Sequence, residues 1–150
     1  MTPDASAHID VAASPQRVLE LVSDLRRLGG VAEEYSGGRW LGATGPSVGA
    51  RFRGVNRRGW RVWPTVSTVT DCSASRFAFE VRSLGLPVSR WQYDIEPTAS
   101  GCRVTESTWD RRPGWYKPIT VLATGVTDRA VTNQRNIEAT LERLKKAAEA

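Results

Sequence analysis

From Val48 to Asp110 apolar and polar residues alternate in short runs separated by turn residues, a period of two that predicts one strand after another. Arg76–Arg82 sets Phe77, Phe79 and Val81 on one face, and Ser89–Glu96 does the same with Trp91, Tyr93 and Ile95. In Cys102–Asp110, Val104, Glu106 and Thr108 share a face. Ala50–Val55 and Trp60–Thr70 flank Asn56-Arg57-Arg58-Gly59, a turn of hairpin length and chemistry. Connections this short favour antiparallel pairing. Two weaker segments join the pattern. Ala7–Ala12 suits a strand with one buried face, and Gly37–Leu41 a short strand before a Gly/Pro-rich turn through Gly42, Gly45 and Pro46.

The period changes at both ends of this meander. Ser14 is a good N-cap and Pro15 sits well at the first helical position, where its missing N–H is not needed. Val18, Leu21, Val22, Leu25 and Leu28 then recur at helical spacing, and Gly29-Gly30 offers a stop. From Pro118 onward a single long helix is predicted, with its stripe at Leu122, Val126, Ala130, Ile137, Leu141, Leu144 and Ala148 and a length of ~40 Å. Gly125 inside it marks a bend or a close approach. The class is α+β, and an antiparallel sheet curled around one long helix can enclose a hollow.

Composition narrows the rest. The 150 residues fit a single domain, 1–150, and the 40% hydrophobic and 25% charged content is ordinary for a globular chain. No apolar run approaches the ~20 residues of a membrane span, and MTPDASAHIDV lacks the basic and apolar regions of a secretory signal, so the expected location is cytoplasmic. Cys72 and Cys102 are too few for a disulfide framework and lack zinc-site spacing. With His8 the sole histidine, metal centres and histidine-based triads find no support. No phosphate loop is present. The net charge of +5 raises the question of nucleic acid. The densest cluster, Arg51, Arg53, Arg57, Arg58 and Arg61, straddles a hairpin and reads better as a solvated edge that blunts strand-to-strand aggregation.

The segments ASPQRVLELVSDL, VGARFRG, SRFAFEV, WQYDIEPTASGCRVTES and IEATLERLKKAAE, in that order, resemble the helix-grip fold of the START-like (SRPBCC) superfamily. The chain looks most like its bacterial polyketide cyclase/dehydrase-like branch. The resemblance implies a curved antiparallel sheet of about six to seven strands around a long C-terminal helix, with a short helical segment after strand 1. It also implies an elongated cavity for an apolar ligand such as a lipid or polyketide. Carried over, the wall comprises Phe77, Phe79, Trp91, Tyr93, Ile95 and Val104, with Leu122 and Val126 closing from the helix. The facing of Trp40 and Trp63 depends on strand register; Trp63 is included in the wall.

Polar residues at inward positions are the candidates for chemistry. Glu106 lies between Val104 and Thr108 on the inward face, where desolvation raises a carboxyl pKa toward an acid/base range. Tyr93 offers a hydroxyl to orient a ligand, and Asn133 sits in the helical stripe seven residues after Val126. The expected function is binding of a small hydrophobic molecule, with no cofactor and no metal, by a monomer or homodimer. The alternative is a polyketide cyclase, aromatase or dehydratase using Glu106 and Tyr93.

Overall fold

Residues 1–42 and 45–150 are described by the computed structural model. The portion of the Gly/Pro-rich turn at 43–44 lies outside the described residues. The seven strands are β1 (Ala5–Val11), β2 (Tyr35–Leu41), β3 (Arg51–Arg58), β4 (Arg61–Cys72), β5 (Arg76–Ser83), β6 (Leu86–Thr98) and β7 (Gly101–Asp110). They form one antiparallel sheet in the order β1-β7-β6-β5-β4-β3-β2. Alternation works as the sequence predicts: Phe52 is buried while Arg51 and Arg53 are exposed, and Val104 and Glu106 are buried on β7.

Two hairpins are tighter than predicted. Arg58 pairs with Arg61, leaving only Gly59-Trp60 as the loop, so Asn56, Arg57 and Arg58 belong to β3. Gly59 adopts φ 61°, which a two-residue hairpin needs and a glycine adopts without steric cost. Ser83 likewise pairs with Leu86 across Leu84-Gly85, and here Leu84 is held at φ 52°, the left-handed region that disfavours a side chain.

The segment after β1 is two helices, α1 (Pro15–Ser23) and α2 (Leu25–Val31), rather than one. Asp24 breaks it. Its backbone is extended, and its carboxylate accepts hydrogen bonds from the Arg26 and Arg27 amides at 3.0 and 3.1 Å, so it caps a new helix. Gly29-Gly30 lies inside α2 and does not end it. At Gly29 the helix crosses β2 so closely that a Cβ would stand 2.6 Å from the Ser36 carbonyl oxygen. Asp24→Ala is expected to cost about 1 kcal/mol in urea unfolding, with Asp24→Asn restoring most of it; equal losses in the two variants would exclude the capping role.

The C-terminal helix is also divided. A 3-10 turn (Gly114–Tyr116) leads into α3 (Lys117–Thr124), which ends where Gly125 turns left-handed at φ 75°. The Asp128 carboxylate accepts from the Val131 amide at 3.2 Å and starts α4 (Arg129–Glu149). At 21 residues α4 is shorter than the unbroken helix expected. It is fastened to the β1 edge through Gln134, whose side chain donates to the Ser6 carbonyl at 2.9 Å and accepts from the Ser6 amide at 3.0 Å. Its buried face carries Ile137, Leu141, Leu144 and Ala148 as predicted. Ala130 is exposed because it stands at the start of the new helix. Among the described residues no helix is long and apolar enough to cross a membrane.

Candidate functional site

The sheet is covered unevenly. Where β5 begins, β6 ends and β7 begins, α1 and the C-terminal half of α4 close over it. Val18, Val22, Phe77, Ile95, Val104, Ile137 and Leu141 form a solid core there. Toward the opposite ends of the strands the coverings are α2, α3 and the start of α4, and they stand off the sheet. The space left is a cavity of about 360 Å³, within the range of small-molecule sites.

This division sorts the predicted wall. Trp63, Phe79, Trp91, Tyr93, Glu106 and Asn133 line the cavity. Phe77, Ile95 and Val104 face the same way but lie too far along their strands, and are enclosed in the solid core. Val126 is buried in the connection between α3 and α4 without lining the cavity. Leu122 is 81% exposed. Once Gly125 ends α3, residue 122 is no longer in line with the α4 stripe, and α3 turns Ile119, Thr120, Ala123 and Thr124 to the cavity instead.

Part of the aromatic wall is a packed cluster centred on Phe52. Phe52 meets Tyr35, Trp40 and Phe79 edge-on at ring-centre separations of 6.2, 5.4 and 5.3 Å. Tyr35 fits because β3 has no side chain beneath it: a Cβ on Gly54 would stand 2.8 Å from its ring. The indole N–H of Trp91 donates to Ser89 Oγ at 3.0 Å, which fixes the ring.

Glu106 and Tyr93 occupy directly opposed positions on β7 and β6. Neighbourhood on the inward face brings them together, and the Tyr93 hydroxyl donates to Glu106 Oε1 at 2.8 Å. Oε2 is buried without a partner, and the residue is only 2% exposed. Burial pushes the Glu106 carboxyl up to about 8, partly opposed by the bond from Tyr93. The acid is therefore mostly neutral at pH 7. Burial, together with the adjoining carboxyl, also holds the Tyr93 hydroxyl well above its ordinary range. The pair can thus offer or take up a proton near neutral pH.

Other polar groups were not anticipated. Asn136 and Thr140 join Asn133 in a buried strip along α4 that borders the cavity. Their spacing, 133, 136 and 140, is the helical period of the stripe itself, so polar residues at those stripe positions were the available signal. Arg129 contributes a cation tied to Glu34 at 2.6 Å. Arg112 grips Asp110 through both carboxylate oxygens and donates to Thr120 Oγ1 at 2.7 Å, pinning α3 to the end of β7. Burial would raise the Asp110 carboxyl, but these bonds outweigh it and hold it below its ordinary value. Among the described residues no cluster of three or more His, Cys, Asp and Glu side chains could hold a metal ion. Cys72 and Cys102 are free thiols, both shifted up by burial.

A family model described as polyketide cyclase / dehydrase and lipid transport matches residues 2–149. No curated protein matches the chain. Among solved structures, the Polyketide_cyc-like protein Cgl2372 from Corynebacterium glutamicum is 27% identical, with a TM-score of 0.63 over 95% of this chain and 88% of that one. CV1439 from Chromobacterium violaceum shares the fold at 14% identity and a TM-score of 0.72, over 97% of this chain and 96% of that one. The di-domain ARO/CYC StfQ, from the steffimycin biosynthetic pathway, matches at 14% identity and a TM-score of 0.73, over 96% of this chain but 49% of that one. With this match over nearly its whole length, and with a seven-stranded sheet gripping a C-terminal helix, the chain belongs to the polyketide cyclase / dehydrase and lipid transport family of helix-grip proteins.

Proposed function

We propose that this protein binds a small, largely apolar molecule of polyketide or lipid type in the cavity between the sheet and helices α2, α3 and α4. The observation that carries this reading is the cavity itself: about 360 Å³, walled by Phe52, Trp63, Phe79 and Trp91, in a chain large enough to have closed it. Apolar burial supplies the affinity, at about 25 cal/mol per Å² before the costs of association, and the Glu106, Tyr93 and Asn133 groups set orientation. The family description agrees with such a ligand. Titration with an anthraquinone, a flat ketone of this class, should quench tryptophan emission and saturate at one equivalent. Val81→Trp, which fills the cavity from its wall, should weaken that binding at least tenfold. Unsaturable quenching, together with native mass spectra of freshly purified protein showing no bound small molecule, would sink the proposal.

A second reading rests on the Glu106–Tyr93 pair. A buried carboxyl poised near neutrality beside a tyrosine hydroxyl is suited to proton transfer during cyclisation or dehydration of a polyketide-like substrate. On that reading Glu106→Gln keeps anthraquinone affinity and abolishes turnover of such a substrate.

A further inference from the structure

The end of the sheet at which the cavity lies is formed by the two tight hairpins and by α3. Among the described residues, all the large hydrophobic side chains that stand out in solvent are at this end except Val48 and Val55. Trp60 (80% exposed) and Leu84 (88%) occupy the hairpin tips, and Trp115, Ile119 and Leu122 project from the 3-10 turn and α3. These elements touch one another. The Tyr116 hydroxyl lies 3.5 Å from the Ser83 carbonyl oxygen, and a Cβ at Gly125 would meet the Arg61 guanidinium at 2.8 Å. Leu84 and Ile119 also line the cavity, so its mouth opens within this apolar face.

Cations predominate around the face, with Asp128, the cap of α4, and Asp4, beside the end of β7, as anions outside the ion pairs among the described residues. Arg57, Arg61, Arg82 and Lys117 take no part in the ion pairs among the described residues, whereas the nearby anions Glu34 and Asp110 are held by Arg129 and Arg112. Arg61 lies over the Trp60 ring at 4.4 Å, which sets a cation beside the most protruding aromatic. Apolar tips surrounded by free cations are the complement of a bilayer surface with anionic headgroups, where tryptophan and leucine enter the acyl boundary and arginine and lysine stay at headgroup level. The left-handed backbone of Leu84 keeps that side chain at the very tip of its hairpin.

We infer that the cavity-mouth end of this protein, led by Trp60, Leu84 and Leu122, docks reversibly on anionic lipid bilayers. Docking there brings the mouth to the membrane surface, but it rests on the exposed face alone and not on what the cavity holds. The test is co-sedimentation of the full chain with vesicles of phosphatidylcholine alone, and of phosphatidylcholine with phosphatidylglycerol at about three to one. The protein should partition onto the anionic vesicles with a blue shift of tryptophan emission, and added salt should weaken it. Trp60→Ser combined with Leu122→Ser, neither of which lines the cavity, should reduce partitioning about tenfold, while Val48→Ser, at the opposite end, leaves it unchanged. Anthraquinone binding in the double variant reports separately that the fold and the cavity survive. Failure to bind the anionic vesicles, or binding that the double variant retains, would overturn the inference. So would a dimer in sedimentation that this variant alone dissolves, because the face would then serve a second copy of the chain.

Discussion

Replacing Glu106 with glutamine is expected to make the protein more stable at pH 8 by on the order of 4 kcal/mol, while leaving it close to unchanged near pH 4.5. In the unfolded chain the carboxyl titrates at its ordinary value of 4.5, whereas in the folded protein burial keeps the proton on up to about 8. Between those values the folded state holds one proton more than the unfolded state, so stability falls as pH rises, by about 1.4 kcal/mol per unit. Stability from this group is fully present below the unfolded pKa and is lost as pH climbs through the folded one. Glutamine keeps the carbonyl that accepts from Tyr93 and cannot ionise, so its profile over this window should be flat. For a chain of this size the difference at pH 8 corresponds to roughly 10 °C in Tm. Urea unfolding of both proteins at pH 5 and pH 8 makes the comparison. Parallel pH profiles would show that Glu106 is ionised in the folded protein.

That Glu106 would be buried was legible from its place between Val104 and Thr108, because a period of two fixes which face a strand residue occupies. Its partner was nearly as legible, since Tyr93 carries the same inward assignment on the neighbouring strand. Strand alternation does not say how far along the sheet a residue lies relative to the helices that cross it. For that reason Phe77, Ile95 and Val104 share a face with Phe79, Trp91 and Glu106 yet are enclosed in solid core. The helix boundaries failed for a different reason. Asp24 and Asp128 each interrupt a continuing apolar stripe, and a stripe is blind to a residue whose side chain caps the backbone of the next helix. Misreading the second break carried Leu122 into the cavity, whereas Asn136 and Thr140 keep the register of the α4 stripe and escaped notice because an apolar pattern passes over polar residues. Tyr35 left no signal at all, because its place depends on the room that Gly54 leaves on another strand.

The difference between solid core and cavity wall should be measurable in two phenylalanines two residues apart on one strand. Phe77 is fully buried, with packed atoms on all sides, so Phe77→Ala removes its transfer free energy and leaves a void the surroundings cannot fill. A cost of about 4 kcal/mol is expected. Phe79 holds Phe52 and Phe77 at ring-centre separations of 5.3 and 5.8 Å but turns its remaining surface to the cavity, where no side chain packs against it. Phe79→Ala therefore has fewer contacts to lose and enlarges a space that already exists, for a cost of about 2 kcal/mol. Binding should run the other way. Anthraquinone affinity should be unchanged in Phe77→Ala at a temperature where it is folded, and should fall severalfold in Phe79→Ala, which loses an aromatic wall. Chemical unfolding and fluorescence titration of the two variants provide the four numbers required. Equal stability losses would mean that the hollow is closed in solution around Phe79, and equal affinities would remove Phe79 from the wall.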